Sequence, residues 1–157
     1  MAYPPERQAE RRALLSGTPD DLVLEYEQAA EAFADLTAEA VIQLPQNSPS
    51  DIAAFRDVPA AAESLAQSLR LGVAAGVWGW LDDDAAWARP WGFRVADVDV
   101  PVIVRHGDDD RLVSVAEARW LAQHIPAAYL LEIRGGGHTS VAAPFEPVVA
   151  ELIRAAS

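Results

Sequence analysis

Residues 101–113, PVIVRHGDDDRLV, decide how this chain is read. Val98, Val100, Val102, Ile103 and Val104 form a β-branched run that predicts a strand buried on both faces. It ends in His106 and Gly107, ahead of the acidic triplet Asp108, Asp109 and Asp110. Ser114 with Glu117 predicts a capping box. The helix behind it should bury Val115, Ala118, Ala122 and Ile125, and Pro126 should stop it. Residues 129–133, YLLEI, read as a second short apolar strand, closed by Gly135, Gly136, Gly137 and His138. A last amphipathic helix, from about Phe145 to Ala155, should bury Val148, Val149, Leu152 and Ile153. Strand, helix and strand at this spacing make a parallel βαβ unit. Parallel strands deliver the aspartate loop and His138 to the same carboxyl edge of the sheet, where open α/β sheets place their ligands.

An acid and an imidazole brought to one edge can form an orienting pair. The carboxylate accepts the proton of one ring nitrogen, which fixes the tautomer and leaves the other nitrogen as a general base. Asp110 and His138 are the candidates for this pair, and the glycines before His138 allow a sharp turn and a close backbone approach. The competing readings are an acidic surface turn for residues 108–110 and a histidine that caps a carbonyl for His138. Asp108 and Asp109 read as solvated turn residues; a magnesium site built from the three carboxylates is the minor alternative. His106, at a strand end, and His124, near a helix C-terminus, read as structural.

Working toward the N-terminus, the grammar changes near residue 95. From Pro4 to about Ala88 the apolar residues repeat with helical spacing. Thr18 and Pro19, followed by Asp20 and Asp21, predict a helix start. That helix should run through Leu22, Tyr26, Ala29 and Phe33. Thr37 should cap a shorter helix that ends before Pro45, and residues 43–50 (QLPQNSPS) read as a loop. A longer helix from about Pro59 to Ala74 should carry Leu65, Leu69 and Val73 on one face. Asp82 to Asp84 read as caps of a following helix, with Arg89 and Arg94 as their ion-pair partners. Trp78, Trp80, Trp87 and Trp91 cluster here. They read as packing aromatics or, alternatively, as the apolar wall of a substrate pocket.

These residues carry a resemblance. Residues 101–113, the helix and strand after them, and residues 135–140 (GGGHTS) resemble the C-terminal portion of an α/β-hydrolase. In that family the penultimate strand leads into Gly-x-x-Asp, matched here by Gly107, Asp108, Asp109 and Asp110. The resemblance therefore puts the catalytic acid on Asp110 and the catalytic histidine on His138. Residues 76–93 (GVWGWLDDDAAWARPWGF) are similar to the join between cap and core in bacterial single-domain hydrolases. Residues 1–60 match only as a generic helical cap. The implied architecture is a partial α/β-hydrolase fold: a helical cap-like segment over residues 1–95, then a parallel βαβ unit and a C-terminal helix over 96–157. The family's nucleophile sits on a Gly-x-Ser-x-Gly elbow ahead of the acid and histidine. No such elbow occurs in this sequence. The expectation is a hydrolase cut off at its N-terminus, with little activity alone. The rival expectation is a non-catalytic binding or interaction module built on a hydrolase remnant.

Composition narrows the function classes. The 157 residues are 51% hydrophobic and 23% charged, the mix of a globular domain. The 24 acidic and 12 basic residues leave a net charge of −12, which argues against nucleic-acid and anionic-membrane partners. Every basic residue is arginine and about a fifth of the chain is alanine, a bias of bacterial, GC-rich type. With no cysteine, disulfides, thiolate nucleophiles and cysteine–metal sites are excluded. No secretory signal or membrane-spanning run is apparent, so the expected compartment is the cytoplasm. The expected ligand is a small-molecule substrate, without metal or organic cofactor. Two strands alone would leave an open sheet edge, expected to be covered by self-association or by a complementing chain.

Overall fold

The computed structural model describes residues 14, 16, 20–142 and 146–155. It is a mixed α/β structure, mostly helical, with one two-stranded parallel sheet. The predicted cap at Thr18 and Pro19 lies outside the described residues. The elements in chain order are α1 (Asp20–Ala34), α2 (Ala38–Ile42), α3 (Pro49–Asp57), α4 (Pro59–Val73), α5 (Trp78–Ala88), a 3-10 turn at Val95–Asp97, and β1 (Val102–Gly107). There follow α6 (Val115–His124), β2 (Ala128–Ile133), a 3-10 turn at His138–Ala142, and α7 (Glu146–Ala155). No helix among the described residues is long and apolar enough to cross a membrane. The chain forms two units: one takes in residues 1–41 and 61–92, the other residues 42–60 and 93–157.

In the first unit, Leu22 and Tyr26 of α1 pack with Val77 and Leu81 as a buried cluster. Trp80 closes this cluster, its ring centroid 4.6 Å from that of Tyr26 and 5.8 Å from that of Phe33. The Tyr26 hydroxyl donates to Asp84. That contact corrects one expectation, since Asp82 to Asp84 lie inside α5 rather than at a helix start. Neither Arg89 nor Arg94 pairs with them among the described residues. Thr37 does cap α2, its hydroxyl accepting from the Ala40 amide at 3.2 Å. The face of α4 also differs from expectation. Ala62 and Ala66 are buried, whereas Leu65 is exposed. The face running through 62, 66, 69 and 73 still has helical spacing, but its fully buried positions are held by the two alanines rather than by the leucine.

The second unit holds the sheet. β1 and β2 pair in parallel from Val102↔Ala128 to Gly107↔Ile133. Helix α6 packs against both strands, with Ala118 buried. The expectation of a strand buried on both faces fails. Val102 through His106 are only half-buried, and Val98 and Val100 precede the strand, Val100 being exposed. Among the described residues each strand has a neighbour on one side only, so the β-branched run lacks the lateral cover that a parallel sheet normally has. In α7, Val148 and Leu152 are half-buried, while Val149 and Ile153 are exposed, contrary to expectation. Ser114 caps α6 by accepting from the Ala116 amide at 3.3 Å. No reciprocal bond from Glu117 completes the expected box.

The one helix that the sequence reading missed is α3. Residues 43–48 do form a connection, but Pro49 and Ser50 already belong to this helix. Its signals were local: Ser48 as N-cap, proline in the first turn, and Asp51 returning a bond to the cap backbone.

Candidate active site

The parallel register sets the geometry of the site. Because β1 and β2 end level at Gly107 and Ile133, the loops that follow leave the sheet together. The Asp108 amide donates to the Ile133 carbonyl (3.1 Å) and the Asp109 amide to the Gly136 carbonyl (2.9 Å). Asp108 Oδ1 accepts from the Gly135 amide at 2.6 Å. The turn needs glycine at Gly135, where φ is +68°. It also needs glycine at Gly107, where a Cβ would overlap the Gly136 carbonyl.

The three aspartates have separate tasks. Asp108 ties the two loops, and Asp109 lies 3.6 Å from Arg111. Asp110 turns inward, its side chain 2% exposed. Its Oδ1 accepts from the Leu112 and Val113 amides, both at 2.9 Å. Its Oδ2 lies 2.9 Å from Nδ1 of His138. Burial alone would raise the Asp110 pKa. The hydrogen bonds from Val113, His138 and Leu112, with the charge of His138, outweigh burial and hold the carboxyl below its usual range. Asp110 is therefore an acceptor at neutral pH, and Nδ1 of His138 carries the proton it accepts. Nε2 has no hydrogen-bond partner among the described residues, and the His138 side chain is 48% exposed.

Two further groups surround this pair. His106, expected to be structural, places Nε2 3.6 Å from the same Oδ2 of Asp110, while its Nδ1 lies 2.8 Å from the Gly107 carbonyl. The position was legible in the strand, but its convergence on Asp110 was not. The larger omission is Asp51. This carboxylate at the start of α3 is fully buried, yet it forms no ion pair among the described residues. Its Oδ2 accepts from the amides of Ser48 (2.9 Å) and His138 (3.2 Å). Its Oδ1 accepts from the amide and the hydroxyl of Thr139, both at 2.7 Å. Burial opposes its ionisation, but the bonds from Thr139 and Ser48 prevail and bring the pKa from 3.8 to about 2.

No serine hydroxyl among the described residues is presented to His138. Ser48 and Ser50 bond each other at 2.9 Å, Ser50 Oγ accepts from the Gly137 amide at 2.7 Å, and Ser140 Oγ donates to the Gly137 carbonyl. No group of three acidic or histidine side chains among the described residues is arranged to hold a metal ion. His124 stacks on Trp120 (4.1 Å) at the end of α6. Trp78, Trp80, Trp87 and Trp91 belong to the other unit: Trp80 packs against its core, Trp87 meets Trp91 edge-on at 5.3 Å, and Trp78, Trp87 and Trp91 are exposed.

No protein-family model, curated protein or solved structure matches this chain.

Proposed function

We propose that Asp110 and His138 are the orienting acid and the general base of an α/β-hydrolase reaction on an ester, amide or similar bond. The observation that supports this reading is the 2.9 Å contact between a buried, charge-holding carboxylate and Nδ1 of an imidazole whose Nε2 is open. In such a reaction Nε2 takes the nucleophile's proton and returns it to the leaving group, while Asp110 stabilises the imidazolium. The nucleophile comes from outside these 157 residues, which contain no Gly-x-Ser-x-Gly elbow, and the serines nearest the His138 loop, Ser48, Ser50 and Ser140, are bonded elsewhere. The chain alone is accordingly near-inactive. The open positions of the sheet and the apolar residues of α7 are where a complementing chain or a second copy would pack.

The experiment compares this chain with the product read from the same genome in frame upstream of Met1. A serine-directed fluorophosphonate should label only the longer product. Asp110→Asn should lower its turnover by about 10⁴-fold, the loss seen when a triad acid is neutralised. Labelling of the 157-residue chain that a single serine substitution abolishes would overturn the assignment. Partner or ligand binding that survives both His138→Ala and Asp110→Ala would favour the interaction module instead.

A further inference from the structure

The capping box of α3 requires one bond from Asp51, the one to the Ser48 amide. The carboxylate makes three more, and all of them go to the loop that carries His138. With Ser50 Oγ taking the Gly137 amide, three consecutive amides, of Gly137, His138 and Thr139, are held by side chains from the first turn of α3. The bonds that tie this loop to the turn after β1 stop at Gly135 and Gly136, and past His138 β1 adds a long one, from Arg105 to the Ser140 carbonyl at 3.4 Å. Asp110, in contrast, is fixed by its own turn, through Leu112 and Val113. The two members of the pair thus have independent supports, and their separation is set by α3 on one side.

A buried carboxylate without a cation is an expensive way to hold a surface loop. An apolar contact of the same volume would often stabilise as well, and in some proteins what a buried charge returns instead is a single, specified geometry. Here the carboxylate caps the 3-10 turn at His138–Ala142 from another segment, with no slack. A Cβ on Gly137 would overlap Ser48 Oγ and the Asp51 carboxylate. We infer that Asp51, with Ser50 and Thr139 as its accessories, is a positioning residue that holds His138 in register with Asp110. This role rests on the reading of Asp110 and His138 as a working pair, which it extends to a third segment of the chain.

The test reads the His138 Nδ1 proton by NMR in the intact 157-residue protein. Bonded to a buried carboxylate, it should give a downfield, slowly exchanging signal that Asp110→Asn abolishes. Asp51→Asn keeps the side-chain shape but removes an acceptor from the His138 loop. Losing even one bond to a charged acceptor should open the loop at least about tenfold more often. The signal should therefore exchange at least about tenfold faster, or broaden away, while the methyl signals of β1 and β2 persist. Thr139→Val and Ser50→Ala, which each remove one bond between α3 and the His138 loop, should also accelerate exchange and serve where Asp51→Asn does not fold. A signal that Asp110→Asn abolishes but that keeps its exchange rate in the Asp51, Thr139 and Ser50 variants overturns the positioning role. A purely structural Asp51 would give that result together with a lowered unfolding midpoint. A signal absent from the parent protein, or indifferent to Asp110→Asn, overturns the pair itself.

Discussion

The charge of Asp51 should be visible in the acid stability of the protein. Burial opposes the change, but hydrogen bonds from the Thr139 hydroxyl and amide and from Ser48 outweigh it, so that its pKa falls from 3.8 to about 2 on folding. A pKa depressed by folding contributes stability that is fully present above the unfolded value. That stability is lost as pH falls through the folded value. At about 1.4 kcal/mol per pH unit, the interval from 3.8 to about 2 amounts to about 2 kcal/mol. Asp51→Asn removes this dependence, since an amide does not titrate. It also turns an NH2 group toward amide donors, which adds a pH-independent cost of about 1–3 kcal/mol. Urea unfolding followed by circular dichroism, at steps from pH 7 to pH 2, should therefore show two stability curves that converge in acid. The variant should be weaker at pH 7, and the gap should shrink by about 2 kcal/mol between pH 4 and pH 2. The contribution of Glu132, also depressed, is common to both proteins and cancels in the difference. A gap that stays constant down to pH 2 would refute the argument that the buried anion is held by the His138 loop.

Two other sets of substitutions probe the packing. Gly137→Ala drives a methyl into Ser48 and Asp51 and should cost about 1–3 kcal/mol in urea unfolding. Gly72→Ala, in α4 with open space around it, should stabilise by about 0.5–1 kcal/mol. Trp80→Ala removes the ring packed on Tyr26 and Phe33 and should cost about 3 kcal/mol. Trp87→Ala, at a side chain 71% exposed, should stay within about 0.5 kcal/mol.

Much of this architecture was legible because its signals are local. The turn residues and the helix stop at Pro126 located α6, β2 and the end of β1 to within a residue or two, whereas the β-branched run placed the start of β1 four residues too early. The spacing of those elements brought Asp110 and His138 to one edge. Thr37, Ser114 and the Leu22–Tyr26 stripe were likewise readable from capping and periodicity. The omitted helix, α3, was hidden by its prolines and serines, which look like loop composition until Ser48 and Asp51 are paired at capping-box spacing. Burial was read less well. Leu65 outranks Ala62 in hydrophobicity, yet Ala62 is the buried one of the two. The valines of β1 imply a fully covered strand only if neighbouring strands are present.

The sequence by itself determined the parallel unit and the common edge to which the three aspartates and His138 are delivered, because chain direction and short-range stereochemistry suffice for these. Only the tertiary structure decided that a carboxylate 87 residues before His138 would reach its amide. The same folding brought His106 to the acid and left the sheet half covered. Such contacts depend on which surfaces fold together, and neither capping, periodicity nor composition encodes the partner of a buried charge.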